Sequence, residues 1–338
     1  MALVTVDERG LYCPAGNFHI DPWEPVETAV VTHGHADHAR PGSSRYVCTP
    51  ETAAVIGLRF GAAGGTAEAA PEIVQLPFGE QRRIGSVTVS LHPAGHVFGS
   101  SQVRIDDGEE VWVIAGDFKR QDDPTCRPFE VVGADTFVTE ATFGLPVYSW
   151  AVAADVAAEI RQWWHSDTER ASILFCYAFG KTQRVLAELA RLTDRPVYLH
   201  GAAQALTDLY REHGIPMLPT QPVTEEAGRD GFAGELVIAP PSAHRSPWMK
   251  RFKRPQTAFA SGWMQIRGAR RRRGYERGFV ISDHADWDAL VRTCRETEAG
   301  RIYVTHGRND VLARYLRETL GVEAEPLDTL YEDEGDAQ

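Results

Sequence analysis

The stretch from Thr32 to His38 (Thr-His-Gly-His-Ala-Asp-His) holds the residue types best suited to binding a divalent cation. Three imidazoles and the carboxylate of Asp37 fall within six positions, and imidazole nitrogens and carboxylate oxygens are ligands that zinc and manganese accept. His33 and His35 lie two apart on an extended turn, so both rings can face one ion. Asp37 and His38 are adjacent, so at a helix start they diverge by about 100°. This spacing favours two metal ions over one.

Further candidate ligands follow later apolar runs. His96 and its competitor His92 share one Pro/Gly-containing turn, and their residue type alone does not separate them. Asp117 follows a glycine at the tip of a buried-type strand, from which a carboxylate can bridge two cations. His284 and His306 each come just past a strand-like run. A lone histidine is more often structural, but the repetition favours one shared site.

Short strands must bring these groups together. Strand character is present in the runs 29–31, 87–91, 111–115, 136–139, 278–281 and 301–304, and each run ends beside one of the candidate groups. From about residue 147 to 261, helical stripes alternate with buried-type strands, which is typical of a parallel sheet. The sequence therefore predicts an α/β protein with an inserted α/β region.

Composition limits the class of protein. The 338 residues are 43% hydrophobic and carry a formal net charge of −12, which argues against nonspecific coating of nucleic acid. No basic leader and no run of the roughly 20 apolar residues that span a bilayer is evident, so we expect a cytoplasmic protein without membrane contact. The five cysteines are scattered, which argues against a disulfide framework and against a thiolate zinc site.

Two groups of cations could contact phosphate. Lys181 and Arg184 follow a glycine turn that opens a predicted helix, although the upstream glycine of a P-loop is missing. An arginine-rich island at 267–273 includes Arg267, Arg270 and Arg271, and aromatic residues lie close to it in sequence. Such an island on an acidic chain favours contact with a phosphate backbone over a merely solvated loop.

These motifs together resemble the metallo-β-lactamase superfamily, and within it the β-CASP nucleases. The resemblance rests on His-x-His-x-Asp-His, Ala-Gly-His96, Gly-Asp117, Ser-Asp-His284 and Thr-His306-Gly. The segments Glu-Ala-Thr-Phe-Gly-Leu-Pro, Gly-Lys-Thr-Gln-Arg and Ser-Asp-His-Ala-Asp-Trp are similar to bacterial ligase-associated DNA exonucleases. The resemblance implies an αββα sandwich formed by 1–146 and 262–338, which would be the catalytic domain, and a β-CASP-like insert at 147–261.

The resemblance also implies roles for individual residues. Asp21 would brace the metal-binding loop through imidazole N–H groups without binding metal, although an Asp-Pro turn explains it equally well on local sequence. Glu140 would orient His284, and His284 would donate a proton to the departing sugar oxygen. Together with Asp37 and Asp117, these two residues form the expected catalytic set. One ion would be held by His33, His35 and His96, the second by Asp37, His38 and His306, with Asp117 bridging them.

The function implied is hydrolysis of DNA phosphodiester bonds by an exonuclease that uses two divalent ions, zinc or manganese, in DNA repair. The expected partners are DNA, with DNA favoured over RNA, and a DNA ligase and helicase of the same pathway. An RNA exonuclease or endonuclease of the β-CASP type is the alternative, because His306 completes the ligand set found in the RNA-cutting members. A small-ester metallohydrolase and an inactive scaffold are weaker alternatives.

Overall fold

The computed structural model describes residues 2–62, 70–224, 231–266 and 274–329. It is a mixed α/β structure, which confirms the predicted fold class at that level. The chain divides into two compact units. The first comprises the residues up to Tyr148 together with those from His284 onward, and the second comprises Ser149–Asp283.

The first unit contains two sheets. In the first sheet the strands follow chain order: β1 Thr5–Asp7, β2 Gly10–Cys13, β3 Phe18–Ile20, β4 Thr28–Val30, β5 Arg45–Cys48 and β6 Glu72–Gln75. The second sheet is built from β7 Gln81–Ile84, β8 Val87–Pro93, β9 Ser101–Asp106, β10 Val111–Ile114, β11 Thr136–Glu140, β18 Arg301–Thr305 and β19 Glu323–Pro326, in the spatial order β19-β18-β11-β10-β9-β8-β7. The helices of this unit are α1 Pro50–Ala62, α5 Trp287–Glu296 and α6 Asn309–Leu320.

Apolar side chains form layers around the two sheets. Successive residues of a strand point to opposite faces, and in β11 Val138 joins a core shared with the first sheet while Phe137 joins a core shared with α5 and α6. Helix α1 covers the other face of the first sheet, where Ile56 belongs to the same cluster as Tyr46. Apolar side chains thus fill the space between the two sheets and between each sheet and its helices.

Strand register gathers the candidate groups at one edge of the second sheet. β10, β11 and β18 are parallel, with Ile114 opposite Val138 and Glu140 opposite Thr305. The carboxyl ends of parallel strands meet at the same edge, so the segments after these strands bring Asp117 and His306 beside Glu140.

The second unit is built around a parallel sheet. Its strands are β12 Ser172–Phe175, β13 Val197–Leu199, β14 Thr220–Pro222, β15 Leu236–Ala239, β16 Gln256–Ala260 and β17 Arg277–Phe279, in the order β14-β13-β15-β12-β16-β17. Its helices are α2 Ala153–His165, α3 Lys181–Leu189 and α4 Gly201–Glu212, with 3-10 turns at Pro241–Ala243, Pro247–Arg251 and Gly262–Gln265. Two apolar clusters cover the faces of β12: Leu174 packs in one of them, and Ile173 and Phe175 in the other.

The units divide at different residues from those expected. The sequence placed the end of the insert at 261, whereas β17 pairs with β16 and the second unit continues to Asp283. The assignment of catalytic and inserted domains stays a prediction. All five cysteines are free thiols. Within the described parts of the chain, every helix is too short or too polar to cross a lipid bilayer.

Candidate metal centre

Four side chains converge on one point of the first unit. His33, His35, His96 and Asp117 each offer a ligand atom, and these atoms all lie within 4.8 Å of one another. Nε2 of His33 and Nε2 of His96 lie 3.0 and 3.1 Å from Nδ1 of His35. Oδ2 of Asp117 is 3.6 Å from Nε2 of His33 and 3.7 Å from Nε2 of His96. Such a set could hold a metal ion.

A second group shares the same carboxylate. His38, Asp117 and His306 also meet within 4.8 Å, and Nε2 of His38 lies 3.4 Å from Oδ2 of Asp117. Oδ2 of Asp37 is 3.5 Å from that same nitrogen. The rings of His38 and His306 stack with centroids 5.6 Å apart. Asp117 therefore belongs to both groups of donors, and its role as a bridge between two ions stays a prediction.

The donor chemistry fits a cation. Oδ1 of Asp117 is buried and accepts no hydrogen bond from the described residues, although a buried acceptor is normally satisfied. Burial, with the neighbouring His38 and His96, holds the pKa of His33 well below its ordinary value. Burial also lowers the pKa of His306. Neutral imidazoles beside a carboxylate form the donor set that zinc or manganese accepts.

Charge is concentrated on His38 and Asp117. Burial opposes a charge on His38, but Asp117, Asp37 and Asp21 outweigh it and raise the pKa of His38 well above its ordinary value. Burial likewise opposes ionisation of Asp117, yet His38 and His284 hold the pKa of that carboxyl well below its usual range. Without metal, the proton on His38 therefore balances the carboxylates around it.

Asp21 contacts His38 and Thr32 on the side away from Asp117. Its Oδ2 lies 2.8 Å from Nδ1 of His38 and accepts the Thr32 hydroxyl at 2.5 Å, while its Oδ1 accepts the Thr32 N–H at 2.8 Å. Thr32 Oγ1 in turn lies 3.0 Å from Nδ1 of His33. The carboxylate of Asp21 therefore faces Nδ1 of His38, whereas Nε2 of that ring faces Asp117. The role of Asp21 in bracing the loop without binding metal stays a prediction.

Two backbone features are found at the segments that carry these side chains. A Cβ on Gly116 would come within 2.7 Å of Thr32 Oγ1, and its φ of +58° favours glycine. Asp21 and His306 adopt left-handed φ values of 44° and 56°, which cost roughly 1–2 kcal/mol in a residue other than glycine. Such strain is characteristic of functional sites.

Glu140 and His284 form a third group with Asp117. The ligand atoms of these three residues lie within 4.8 Å of one another. Nδ1 of His284 lies 3.0 Å from Oε2 of Glu140, and Oε1 of Glu140 accepts the Phe118 N–H at 2.8 Å. The carboxylate is thus engaged by its own chain, and it fixes the orientation of the His284 ring.

His96 and His92 are clearly separated by the structure. His92 lies outside the metal centre, with Nδ1 3.0 Å from Oε1 of Glu130 and Nε2 3.1 Å from Oγ of Ser90. His96 is 1% exposed and meets His35. The residue types alone could not distinguish these two histidines, whereas the turn geometry does.

The predicted phosphate contacts of Lys181 and Arg184 are not supported. Both side chains are buried in the second unit. Nζ of Lys181 lies 3.3 Å from Oδ2 of Asp283, and Nη1 of Arg184 donates to the Ser282 carbonyl oxygen. A phosphate would have to displace these partners. The remaining residues of that prediction, Arg267, Arg270 and Arg271, lie outside the described residues.

Sequence reasoning missed two cations that hold the ligand loops. Nη1 of Arg59 donates to the Gly34 carbonyl at 2.7 Å. Nζ of the buried Lys119 donates to the His96 carbonyl at 3.3 Å and to Oδ2 of Asp123 at 2.5 Å. The spacing of four between Lys119 and Asp123 was the only available signal, and it does not reveal the contact with His96.

Three comparisons relate the chain to known proteins. No family model matches it. The chain is 32% identical over 320 residues to a probable DNA ligase from Opitutus terrae, covering 94% of this chain and 30% of that protein. It is 29% identical over 138 residues to RNase aCSPSF2 from Saccharolobus solfataricus, covering 39% of this chain and 28% of that protein. It thus spans about three-tenths of the length of each of these curated relatives.

A solved structure shares the fold. The crystal structure of a protein of unknown function from Enterococcus faecalis V583 matches with a TM-score of 0.61 at 13% identity, covering 90% of this chain and 80% of that one. At this identity the likeness extends to the fold alone.

Proposed function

We propose that this chain is a metal-dependent phosphodiesterase that hydrolyses DNA, built as a metallo-β-lactamase sandwich with a β-CASP-like insert. The first unit would be the catalytic domain and the second the insert. The main support for this proposal is the convergence of two groups of histidines on the single carboxylate of Asp117, with the buried Glu140–His284 pair beside it. A two-ion centre next to an oriented histidine suits the cleavage of a phosphodiester.

The residues divide into two ligand sets. His33, His35 and His96 would hold one ion, while Asp37, His38 and His306 would hold a second, with Asp117 shared between them. Bound divalent cations supply Lewis-acid chemistry, because they withdraw charge from phosphate oxygens and lower the pKa of water. The nitrogen and oxygen ligands contain no thiolate and accept zinc or manganese.

The chain's own contribution to proton transfer comes from His284. Glu140 holds Nδ1 of His284 at 3.0 Å, so Nε2 is the ring nitrogen that would carry a proton to the departing sugar oxygen. The carboxylate beside Nδ1 stabilises the protonated ring until that transfer. Both side chains are 1% exposed, so bulk water does not compete for this proton.

The relatives suggest the substrate. A match to a protein named a probable DNA ligase over 94% of this chain favours DNA, and with it an exonuclease acting on single strands or DNA ends in repair. A ligase and a helicase of that pathway are the proposed partners. RNA is the second candidate substrate, supported by the partial match to RNase aCSPSF2.

The test uses single-stranded DNA and RNA of the same sequence, labelled at either end, with manganese or zinc. Asp37→Ala and His284→Gln are the controls. Metal-dependent loss of DNA, abolished by Asp37→Ala and slowed by about 10²–10⁴-fold in His284→Gln, would support the proposal. Preferential loss of RNA would transfer the activity to RNA and leave the metal assignments unchanged. Failure to cleave either substrate would refute the nuclease and favour a small-ester hydrolase or a scaffold.

A further inference from the structure

Residues 244–254 of the second unit concentrate positive charge on an acidic chain. This basic segment (His-Arg-Ser-Pro-Trp-Met-Lys-Arg-Phe-Lys-Arg) carries five cations, and none of the chain's 47 acidic residues falls between positions 236 and 275. The neighbouring sequence therefore supplies no carboxylate to neutralise the segment. The five cations are Arg245, Lys250, Arg251, Lys253 and Arg254.

The structure presents most of this charge to solvent on a folded loop. The 3-10 turn Pro247–Arg251 is capped by Ser246, whose Oγ accepts the Trp248 N–H at 3.2 Å. Phe252 is buried in the apolar cluster of the unit and anchors the loop. The loop backbone that carries the cations is therefore anchored to the core of the unit. The exposed ones are Arg245, Lys250, Lys253 and Arg254.

Two of these cations have unusual backbone conformations. Arg245 and Arg254 adopt φ values of 60° and 46°, which few residues other than glycine tolerate. Asp21 and His306 of the metal centre have the same feature. Strain of this kind persists where the surrounding structure imposes it, often at binding sites.

An aromatic surface lies among the cations. The Trp248 ring is partly buried, 4.8 Å from the ring of His200 and 4.9 Å from that of Phe252. The guanidinium carbon of Arg251 is 5.5 Å from the centre of the Trp248 ring. Burial, assisted by Arg251, lowers the pKa of His200, so that ring is neutral at pH 7. Aromatic rings within a cationic track are the usual means of binding single-stranded nucleic acid.

We propose that the basic segment binds the sugar–phosphate backbone of single-stranded nucleic acid, with Trp248 stacking on a base. The exposed Lys250, Lys253 and Arg254 supply the phosphate contacts. This inference rests on the proposed nuclease function, for which the segment would be a substrate-binding surface. The loop itself contains no acidic residue and combines exposed cations with a partly exposed indole. These features favour binding of single-stranded nucleic acid over the role of a merely solvated loop.

The binding test measures fluorescence anisotropy of labelled single-stranded DNA and RNA against salt concentration, with EDTA present to prevent cleavage. The variant is Lys250→Ala/Lys253→Ala/Arg254→Asn, since asparagine tolerates the left-handed φ of Arg254. Each lost phosphate contact lowers the slope of log K against log salt by about 0.7, so the slope should shrink by about 2 and the affinity should fall by about tenfold or more. The matched control Arg82→Ala/Arg83→Ala/Arg161→Ala removes three exposed cations elsewhere and should bind like the wild type.

Trp248 gives an independent readout. Trp248→Ala should weaken binding by about fivefold to a hundredfold with the salt slope unchanged, and Trp248→Phe should restore most of the affinity. Thermal denaturation checks that each variant is folded. Affinity for DNA or RNA that is the same in the charge variant, the alanine variant and the wild type would overturn the proposal.

A separate assay distinguishes failure of the inference from failure of the proposed function. The wild-type protein with manganese is tested on bis(p-nitrophenyl) phosphate, a diester too small to need the basic segment. Hydrolysis together with unchanged binding by the variants would refute the segment and leave the metal centre standing. Loss of binding by the variants without hydrolysis of any diester by the wild type would support the segment and refute the nuclease.

Discussion

Both units of the chain bury charged or ionisable side chains, but the buried groups have different surroundings. In the second unit, Lys181 is 1% exposed and lies 3.3 Å from Asp283, which is equally buried. In the first unit, the ring nitrogens of His33 and His35 face each other at 3.0 Å, with the carboxylate of Asp117 also within 4.8 Å. The first arrangement pairs opposite charges, whereas the second brings several electron-pair donors together.

The difference shows when a buried polar group indicates a ligand. The charge of a buried cation that contacts a carboxylate is balanced within the protein. Such a pair stabilises the fold only while both partners are present. Converging imidazoles and a carboxylate offer electron pairs that a cation can accept, and without metal the raised pKa of His38 favours a proton on that ring. Burial alone therefore does not identify a site; the chemical type of the neighbours does.

The largest effect is expected from removing the carboxylate that both ligand groups share. Asp117→Asn keeps the size of the side chain but removes its charge, so we expect hydrolysis of DNA or of a small diester to fall by about 10³-fold or more. Bound metal, measured by elemental analysis of the purified protein, should fall as well. Glu188→Gln, which changes a buried carboxylate of the second unit that pairs with Arg191, is the control. Full activity in Asp117→Asn would contradict the shared-ligand assignment.

The corresponding change in the second unit should affect stability. Lys181→Met removes a buried cation that pairs with Asp283, so the free energy of unfolding should fall by about 3–5 kcal/mol, and Lys181→Met/Asp283→Asn should recover most of the loss. Urea denaturation provides the measurement. Arg314→Met, which breaks the exposed pair with Glu318, should leave the unfolding midpoint unchanged. A stable Lys181→Met protein with weakened DNA binding would instead restore the phosphate contact expected from the sequence.

Local patterns predicted that the candidate ligands would lie close together. The His-x-His-x-Asp-His stretch and the strand ends before Asp117 and Glu140 are contiguous signals, and parallel pairing of β10, β11 and β18 brings the strand ends to one edge. The α/β alternation of 147–261 likewise predicted a parallel sheet. These features depend on short-range periodicity, which a single sequence contains.

Long-range pairing was beyond the sequence. The burial of Lys181 depends on Asp283, about a hundred positions away, and a glycine turn before a cation has the same local pattern whether the side chain is buried or exposed. The pairing of β17 with β16 extends the second unit to Asp283, because strand partners are decided by packing. The contact of Lys119 with the His96 carbonyl is a tertiary contact of the same kind.

A smaller effect on metal affinity is expected from Asp21, which contacts the ligand His38. Asp21→Asn retains the left-handed φ of 44° but weakens the hydrogen bonds to His38 and Thr32. The affinity for zinc or manganese should fall by about 10–100-fold, measured by competition with a chelator. The control is Asp7→Asn. Asp7 is half-exposed and forms an Asp–His pair with His19, so this variant should leave the metal affinity intact. Equal losses in both variants would attribute the effect to general destabilisation.

The smallest effect is the pH dependence that His38 imposes. Its pKa is raised because Asp117, Asp37 and Asp21 outweigh burial, and a metal ion must displace that proton to bind Nε2. Metal affinity should therefore fall about tenfold per pH unit below the raised pKa and level off above it. In the metal-free protein the sign is opposite: protonation of His38 stabilises the fold at low pH, and this stabilisation is lost as the pH rises through the same pKa.

Titration calorimetry in two buffers of different ionisation enthalpy counts the protons released when metal binds. About one proton is expected near neutral pH, because His33 and His306 have lowered pKa values and are already neutral there. His38→Asn should remove that proton while leaving the ligand set of His33, His35, His96 and Asp117 intact. Release of a proton from the His38→Asn protein would mean that another imidazole carries the positive charge. The comparison of the metal centre with the Lys181–Asp283 pair would then have to be made with that imidazole instead of His38.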